Sequence, residues 1–322
     1  MRQIIVFGSI CFLLLSFESC KKKPKDDRGD TFNTGAISIA CDENFRNMMN
    51  AMINAFEAHN ELTVINPIYS NENEVIRLLL EDSVRLALVT RELNLNEQKA
   101  SEEKRMIIRK FLVAFDGIAL IINKANPDSL IGLPTIRKIL TGEITNWSQI
   151  NPHSSPDTIR VLFESAQSGV LRYISDSITK GAASSPYLYA MNSSDELIRK
   201  VCELPNTIGI IGFNIINDEA LRRIPDLRDQ FRIMRVGKEE QATLQNTYLP
   251  YAGDIRNNDY PFWRPIYVLL SDPRSGLSSG FSIFIAHDVG QMVILKSGLL
   301  PAVTEPQNRS VYVYPKEETK RK

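Results

Sequence analysis

Residues 111–123, Phe-Leu-Val-Ala-Phe-Asp-Gly-Ile-Ala-Leu-Ile-Ile-Asn, constrain this chain more than any other stretch. A continuous apolar run bounded by turn signals reads as a strand covered on both faces, which belongs inside a sheet. Asp116 stands within it, and a carboxylate in such a place needs partners. Hinge hydrogen bonding is the role expected for Asp116, ahead of ligand contact. Asn126-Pro127 then turns the chain, Pro134 suits the first turn of a helix, and Gly142 suits its stop. Upstream, short strands at 37–40, 62–69 and 86–89 alternate with helical patterns at 44–59 and 72–80. In the first helix Phe45, Met48, Met49, Met52, Ile53 and Phe56 share one face, which reads as core packing rather than a soft binding surface. Strand–helix alternation predicts an α/β fold with mixed, mostly parallel sheets and flanking helices.

The chain is long enough, at 322 residues, for two lobes. Lysine plus arginine (38) balances aspartate plus glutamate (38), so no global field draws it to nucleic acid. The amino terminus has a different character. Ile4 to Phe17 is an apolar run of 14 residues, too short to span a bilayer and suited to a secretory signal. Ser19-Cys20 closes it in the manner of a relaxed lipoprotein signal, so residues 1–19 are expected to be removed and Cys20 lipidated. Residues 20–34 then read as a charged tether with nothing to bury. Cys41 and Cys202 fall in different expected lobes and are read as small buried hydrophobes rather than a disulfide.

The order Asp116-Gly117-Ile118-Ala119, then Thr141-Gly142-Glu143-Ile144-Thr145-Asn146-Trp147, resembles the crossover segment of phosphate-type periplasmic binding proteins, the solute receptors of ABC importers. The resemblance continues, in family order, through Thr207 to Phe213, through Tyr260-Pro261-Phe262-Trp263-Arg264-Pro265-Ile266-Tyr267, and through the terminal helix containing Gly290-Gln291. It implies a two-lobed periplasmic binding protein type II fold with two crossover strands. Lobe 1 would take residues 35–115 plus 262–305, lobe 2 residues 120–258, and residues 306–322 would form a tail. It also implies a monomeric, lipid-anchored receptor facing the periplasm of a bacterial envelope. Its partners would be a small solute, phosphate first, and an ABC permease. No cofactor, metal or catalytic residue is implied.

In that family the anion is held by backbone amides at helix starts, hydroxyls and one arginine. Carried over, the ligand-binding set is Asp42, Glu43 and Asn44 after the first strand, Ser70 after the second, Thr90 and Arg91 after the third, and Ser168 and Gly169 in lobe 2. Arg91 is either the anion's partner or a surface arginine paired with Glu92 or Glu97. The pattern is degenerate where the family writes Arg-x-x-Gly-Ser-Gly-Thr, because Glu164 replaces the Arg, Gln167 the first Gly and Val170 the Thr. At about 4–5 Å and an effective dielectric near 20, exchanging Arg for Glu reverses roughly 3–4 kcal/mol of each sign. Phosphate affinity is therefore expected to be poor unless Arg91 or Arg172 reaches the cleft. The alternatives are a transport-inactive sensor or docking lipoprotein on the same fold, or a receptor for a non-phosphate solute. An enzyme is not expected: the Ser165–Gly169 segment lacks a nucleophile elbow, only three histidines are present, and no zinc or phosphate-loop motif occurs.

Overall fold

The computed structural model describes residues 29–217, 227 and 229–302. The signal at 1–19, Cys20, most of the tether and the tail at 306–322 lie outside the described residues. The strands are β1 (Gly35–Asp42), β2 (Thr63–Ser70), β3 (Leu86–Val89), β4 (Arg109–Asn123), β5 (Leu130–Gly132), β6 (Arg160–Phe163), β7 (Leu188–Ala190), β8 (Thr207–Gly212), β9 (Phe231–Ile233), β10 (Arg235–Gly237), β11 (Thr247–Tyr248), β12 (Trp263–Leu270) and β13 (Leu300–Pro301). The main sheet is ordered β2-β1-β3-β12-β4-β8-β6-β7, with β13 and β9 also on β4, and β11-β10-β5 form a small second sheet. β1 is parallel to β2 and β3, and β6 is parallel to β7 and β8. β12 and β4 run against their neighbours. The result is an α/β, two-lobed fold with a curled mixed sheet.

β4 serves both lobes, which explains its fifteen-residue length. Its first part pairs with β12 from Arg109 to Gly117, and residues 118–122 pair with β8. The return crossing lies alongside: Ile118 N donates to Phe262 O at 2.8 Å, and the Tyr260 hydroxyl donates to Ile118 O at 2.6 Å. Gly117 sits where the crossings converge. A Cβ there would lie 2.8 Å from the Pro250 Cβ and 2.9 Å from its carbonyl oxygen, so no side chain fits.

Of the four hydrophobic clusters among the described residues, the two largest flank this junction. In lobe 1, α1 (Arg46–His59) buries Met48, Met49, Met52, Ile53 and Phe56 against β1 and the helix Leu277–Ala286. Phe56 stacks edge-on to Phe281 and Phe284, each with centroids 5.2 Å apart. The methionine face is therefore core. In lobe 2, Trp147 is 1% exposed and packs with Ile136, Ile139 and Phe163. Cys41 and Cys202 are both free.

Two expectations need correction. Asp30 is not part of an unpacked tether, because its carboxylate accepts from Leu277 N at 2.9 Å and pairs with Arg85 at 3.2 Å. It satisfies an orphan amide at the start of the helix Leu277–Ala286, as an acid at a helix N-terminus should. The apolar run at 111–123 is not covered along its whole length, because Phe111 and Leu112 are 38% and 37% exposed and burial begins at Val113.

Candidate functional site

The site is built on one buried ion pair. Arg264 on β12 and Asp116 on β4 face each other in the sheet register, and both side chains are fully buried. Arg264 Nε and Nη2 donate to Asp116 Oδ2 at 3.0 and 2.9 Å. Burial pushes the Asp116 carboxyl up, and the guanidinium opposite pulls it down. Burial alone would weaken the Arg264 charge, but the Asp116, Asp42 and Glu164 carboxylates outweigh it and hold its pKa above the ordinary value. A guanidinium stays protonated in any case. The pair leaves Arg264 Nη1 buried without a hydrogen-bond partner.

A second unpartnered group lies beside it. Asp42 ends β1 and caps the short 3-10 turn Glu43–Phe45, its Oδ1 accepting from Asn44 N at 3.0 Å. Its Oδ2 is buried and has no partner. Burial pushes this carboxyl up to about 7; the nearby Arg264 opposes the shift, and Glu72 and Glu164 add to it. Both orphan atoms converge on Gly169, the first residue of α5 (Gly169–Tyr173). A Cβ built on Gly169 would lie 2.9 Å from Arg264 Nη1 and 3.2 Å from both Asp42 Oδ2 and Thr90 Oγ1. The absence of a side chain at Gly169 therefore lets lobe 2 approach three polar groups of lobe 1.

Glu164, which stands where the family pattern has Arg, organises the lobe 2 wall. Its two oxygens accept from Ser168 Oγ at 3.0 Å and from Ser194 Oγ at 2.9 Å. Ser168 in turn caps the helix by accepting from Val170 N at 3.1 Å. Its hydroxyl proton is thus committed to Glu164 rather than aimed at the cavity.

Direct contacts tie the lobes across the cleft. Arg172 Nε, on lobe 2, donates to Glu72 Oε2 on lobe 1 at 2.7 Å, and Nη2 donates to Thr90 Oγ1 at 3.1 Å. Glu72 starts α2 (Glu72–Leu80) and also accepts from Thr90 N and Oγ1 at 2.7 and 2.6 Å. Burial raises the Glu72 carboxyl, but Arg172 and the Thr90 donors more than compensate, so its pKa lies below the ordinary value. Asn214 Nδ2 donates to Asn44 O at 2.6 Å on the far side of the cleft.

Outside this contact zone the cleft opens into a cavity of about 580 Å³. Asp42, Glu43, Asn44, Ser70, Ser168 and Gly169 line it, as does Glu164. Thr90 sits at the deep end with its hydroxyl bound to Glu72. Arg91 does not line the cavity: its Nη1 and Nη2 donate to Glu97 at 2.6 and 2.8 Å, Nη2 also to Asn73 at 3.1 Å, and its Nε lies 3.4 Å from Glu72 Oε2. Of the two readings of Arg91, the structure takes the pairing with Glu97. Sequence reasoning missed Arg264 as a site residue and Glu72 as the acceptor for Arg172. Arg264 left a signal: a buried acid in β4 requires a cation, and Arg264-Pro265 lies in the other apolar strand at the crossing. Among the described residues, no group of three or more His, Cys, Asp or Glu is placed to hold a metal ion.

The two-lobed fold with its cleft is that of the periplasmic binding protein class, and comparison with known proteins agrees. The PBP superfamily domain matches residues 27–289, and the chain belongs to that superfamily. Similar relatives include the phosphate-binding protein PstS of Bacillus subtilis, 20% identical over 88% of this chain and 86% of the relative. Protein SphX of Synechococcus elongatus is 23% identical over 59% of this chain, which spans about half (54%) of SphX. Among solved structures, a Clostridium perfringens protein with bound phosphate aligns over 83% of this chain and 100% of its own, with TM-score 0.65 and 21% identity. An ABC-type phosphate transport receptor from Vibrio cholerae aligns over the same shares with TM-score 0.64 and 19% identity.

Proposed function

We propose that this chain is the substrate-binding component of an ABC importer for a protonated oxyanion, phosphate foremost. On this reading it is anchored to the bacterial envelope through Cys20 and works as a monomer by lobe closure without covalent chemistry. The observation that carries the reading is the juxtaposition of Arg264 Nη1 and Asp42 Oδ2, two buried and unpartnered groups meeting at Gly169. Buried polar groups left unmade are costly, so an adjacent donor and acceptor amount to a template for a ligand that supplies the complement. An oxyanion that still carries a proton does so: one oxygen accepts from Arg264, and one proton is shared between another oxygen and Asp42. The amides opening the helical run at Gly169 add partial positive charge. Proteins that bind phosphate recur among the relatives and solved neighbours, which supports this class of solute.

Asp42 also gives the reading a pH dependence. With its carboxyl pushed up to about 7, it holds a proton below that value and loses it above. Above pH 7 phosphate still carries one proton to share with the Asp42 carboxylate, whereas sulfate carries none and would face that carboxylate across the same contact, so its affinity should fall. The His59 and His287 rings are held by backbone carbonyls at 2.7 and 2.9 Å, and neither lines the cavity.

A second reading draws on a specific observation as well. The Arg172–Glu72 contact ties the lobes through the protein's own charges, which is what a docking or sensor module on the same fold would need. Calorimetric titration of the chain with phosphate and with sulfate at pH 6 and pH 8.5 separates the two. Phosphate binding at both pH values, with sulfate binding lost at the higher pH, is expected of the receptor. Absence of heat with either anion at both pH values would remove the oxyanion reading and leave the docking module.

A further inference from the structure

The cavity next to the orphan pair is much larger than an inorganic anion needs. At about 580 Å³ it falls within the range of sites that enclose organic molecules, roughly 300–1,000 Å³. Its charges are also wrong for a second anionic group. Asp42, Glu43, Glu164 and Asp195 line it, with Arg46 as the one lining cation. Arg46 is already spent, because its Nε and Nη2 both donate to Glu43 at 2.7 Å. Among the described residues, no lysine or arginine lies within ion-pair distance of Asp42, Glu164 or Asp195. Asp195 is exposed in the first turn of the helix Ser194–Glu203, next to Ser194, whose hydroxyl is bound to Glu164. The buried end thus offers one free guanidinium donor, Arg264 Nη1, on a cation already paired with Asp116, and the open end holds negative charge without a cation. The acids alone would not make a site, but the buried Asp42 Oδ2, unpartnered and part of the same wall, does point to an occupant.

We propose that the solute is an ammonium-bearing organic phosphate, a phosphomonoester whose phosphate seats against Arg264 and Asp42 while its amine faces Asp195 across the cavity. This rests on the oxyanion reading above and names the class of molecule that reading would carry. A free donor at the buried end and free carboxylates at the open end select for a solute with an acceptor and an ammonium group, since a phosphate alone leaves the acidic wall unmatched. It also gives Glu164 a consistent role. An arginine at that position would neutralise the wall, whereas Glu164 holds Ser168 and Ser194 in place and keeps the wall negative.

The test is calorimetric titration of the full chain in detergent with four probes: inorganic phosphate, glycerol 1-phosphate, 2-aminoethyl phosphate and ethanolamine. We expect 2-aminoethyl phosphate to bind at least tenfold more tightly than glycerol 1-phosphate or phosphate, a gap of about 1.4 kcal/mol. We expect Asp195→Asn to shrink that gap several-fold while leaving glycerol 1-phosphate unchanged, and the gap to narrow with added salt. Asp195 is exposed at the helix start, so this variant tests charge without disturbing the core. Equal affinity for the two esters, or phosphate tighter than both, would overturn the proposal and leave the oxyanion reading standing. Ethanolamine binding as tightly as its phosphate ester, or no binding by any phosphate probe, would remove the oxyanion reading and the proposal with it.

Discussion

Single residues at the cleft floor are held in states that water would not give them. Arg264 and Asp116 are both fully buried, so removing one partner strands the other. Arg264→Met should cost about 3–5 kcal/mol in urea denaturation, and Arg264→Lys, which cannot make the two-nitrogen contact, should recover only part of it. A loss under about 1 kcal/mol for Arg264→Met would show that Asp116 finds another partner. Asp42 predicts a pH effect of definite sign. Its carboxyl titrates near 7 in the folded chain, against an ordinary 3.8. Between those values the unfolded chain releases a proton that the folded chain keeps, so stability falls as pH rises from about 4 to about 7. The shift corresponds to about 4 kcal/mol across that window. Denaturation curves of Asp42→Asn should lose this slope; an unchanged slope would place the titration elsewhere. Glu72 acts in the opposite sense and in a lower window, since its depressed pKa contributes stability that is lost as the pH falls through it.

At the level of elements, the start of α5 and the side chain one turn along it govern closure. Gly169→Ala places a methyl 2.9 Å from Arg264 Nη1, whose guanidinium is fixed by Asp116 and cannot step aside. The variant should melt within about 2 °C of the parent yet bind its solute at least tenfold more weakly, since the clash arises only when the lobes meet. Loss of stability without loss of affinity would contradict this. Arg172→Gln removes the contact to Glu72 but leaves the Thr90 donors to that carboxylate. Small-angle scattering of the solute-free variant should report a larger radius of gyration than the parent if the latch holds the lobes together. These elements also show where sequence reading succeeds and where it stops. β4 was legible because a two-sided apolar run with one acid has few places to go, and the methionine face of α1 because helical spacing reports burial directly. Ser168 and Gly169 were legible by motif. Arg91 and Arg172 were not separable by sequence, because which of two nearby arginines crosses a cleft depends on how the lobes meet. Glu164 was read as an intruder in an anion site, whereas two serines, one of them 30 positions away, make it a bracket.

For the molecule as a whole, the two largest hydrophobic clusters meet at the Tyr260–Trp263 crossing, where Phe262 and Leu300 join the cluster that holds Trp147, so this junction is where opening and closing would be felt. The edge-on contact between Phe115 and Trp263, centroids 5.1 Å apart, sits at that junction and offers an optical readout. Trp147 is buried in the lobe 2 core, so a solute-dependent change in emission should vanish in Trp263→Phe and persist in Phe115→Leu with altered amplitude. A change surviving Trp263→Phe would move the motion away from the crossing.

Asp30 fastens the start of the folded body to the helix Leu277–Ala286. If Cys20 carries lipid, nine residues lie between it and that rivet, and the ten residue steps make a leash of about 35 Å at full stretch. The receptor would then be a moored float rather than a free diffuser. On the function proposed above, its search for a permease would be confined to two dimensions.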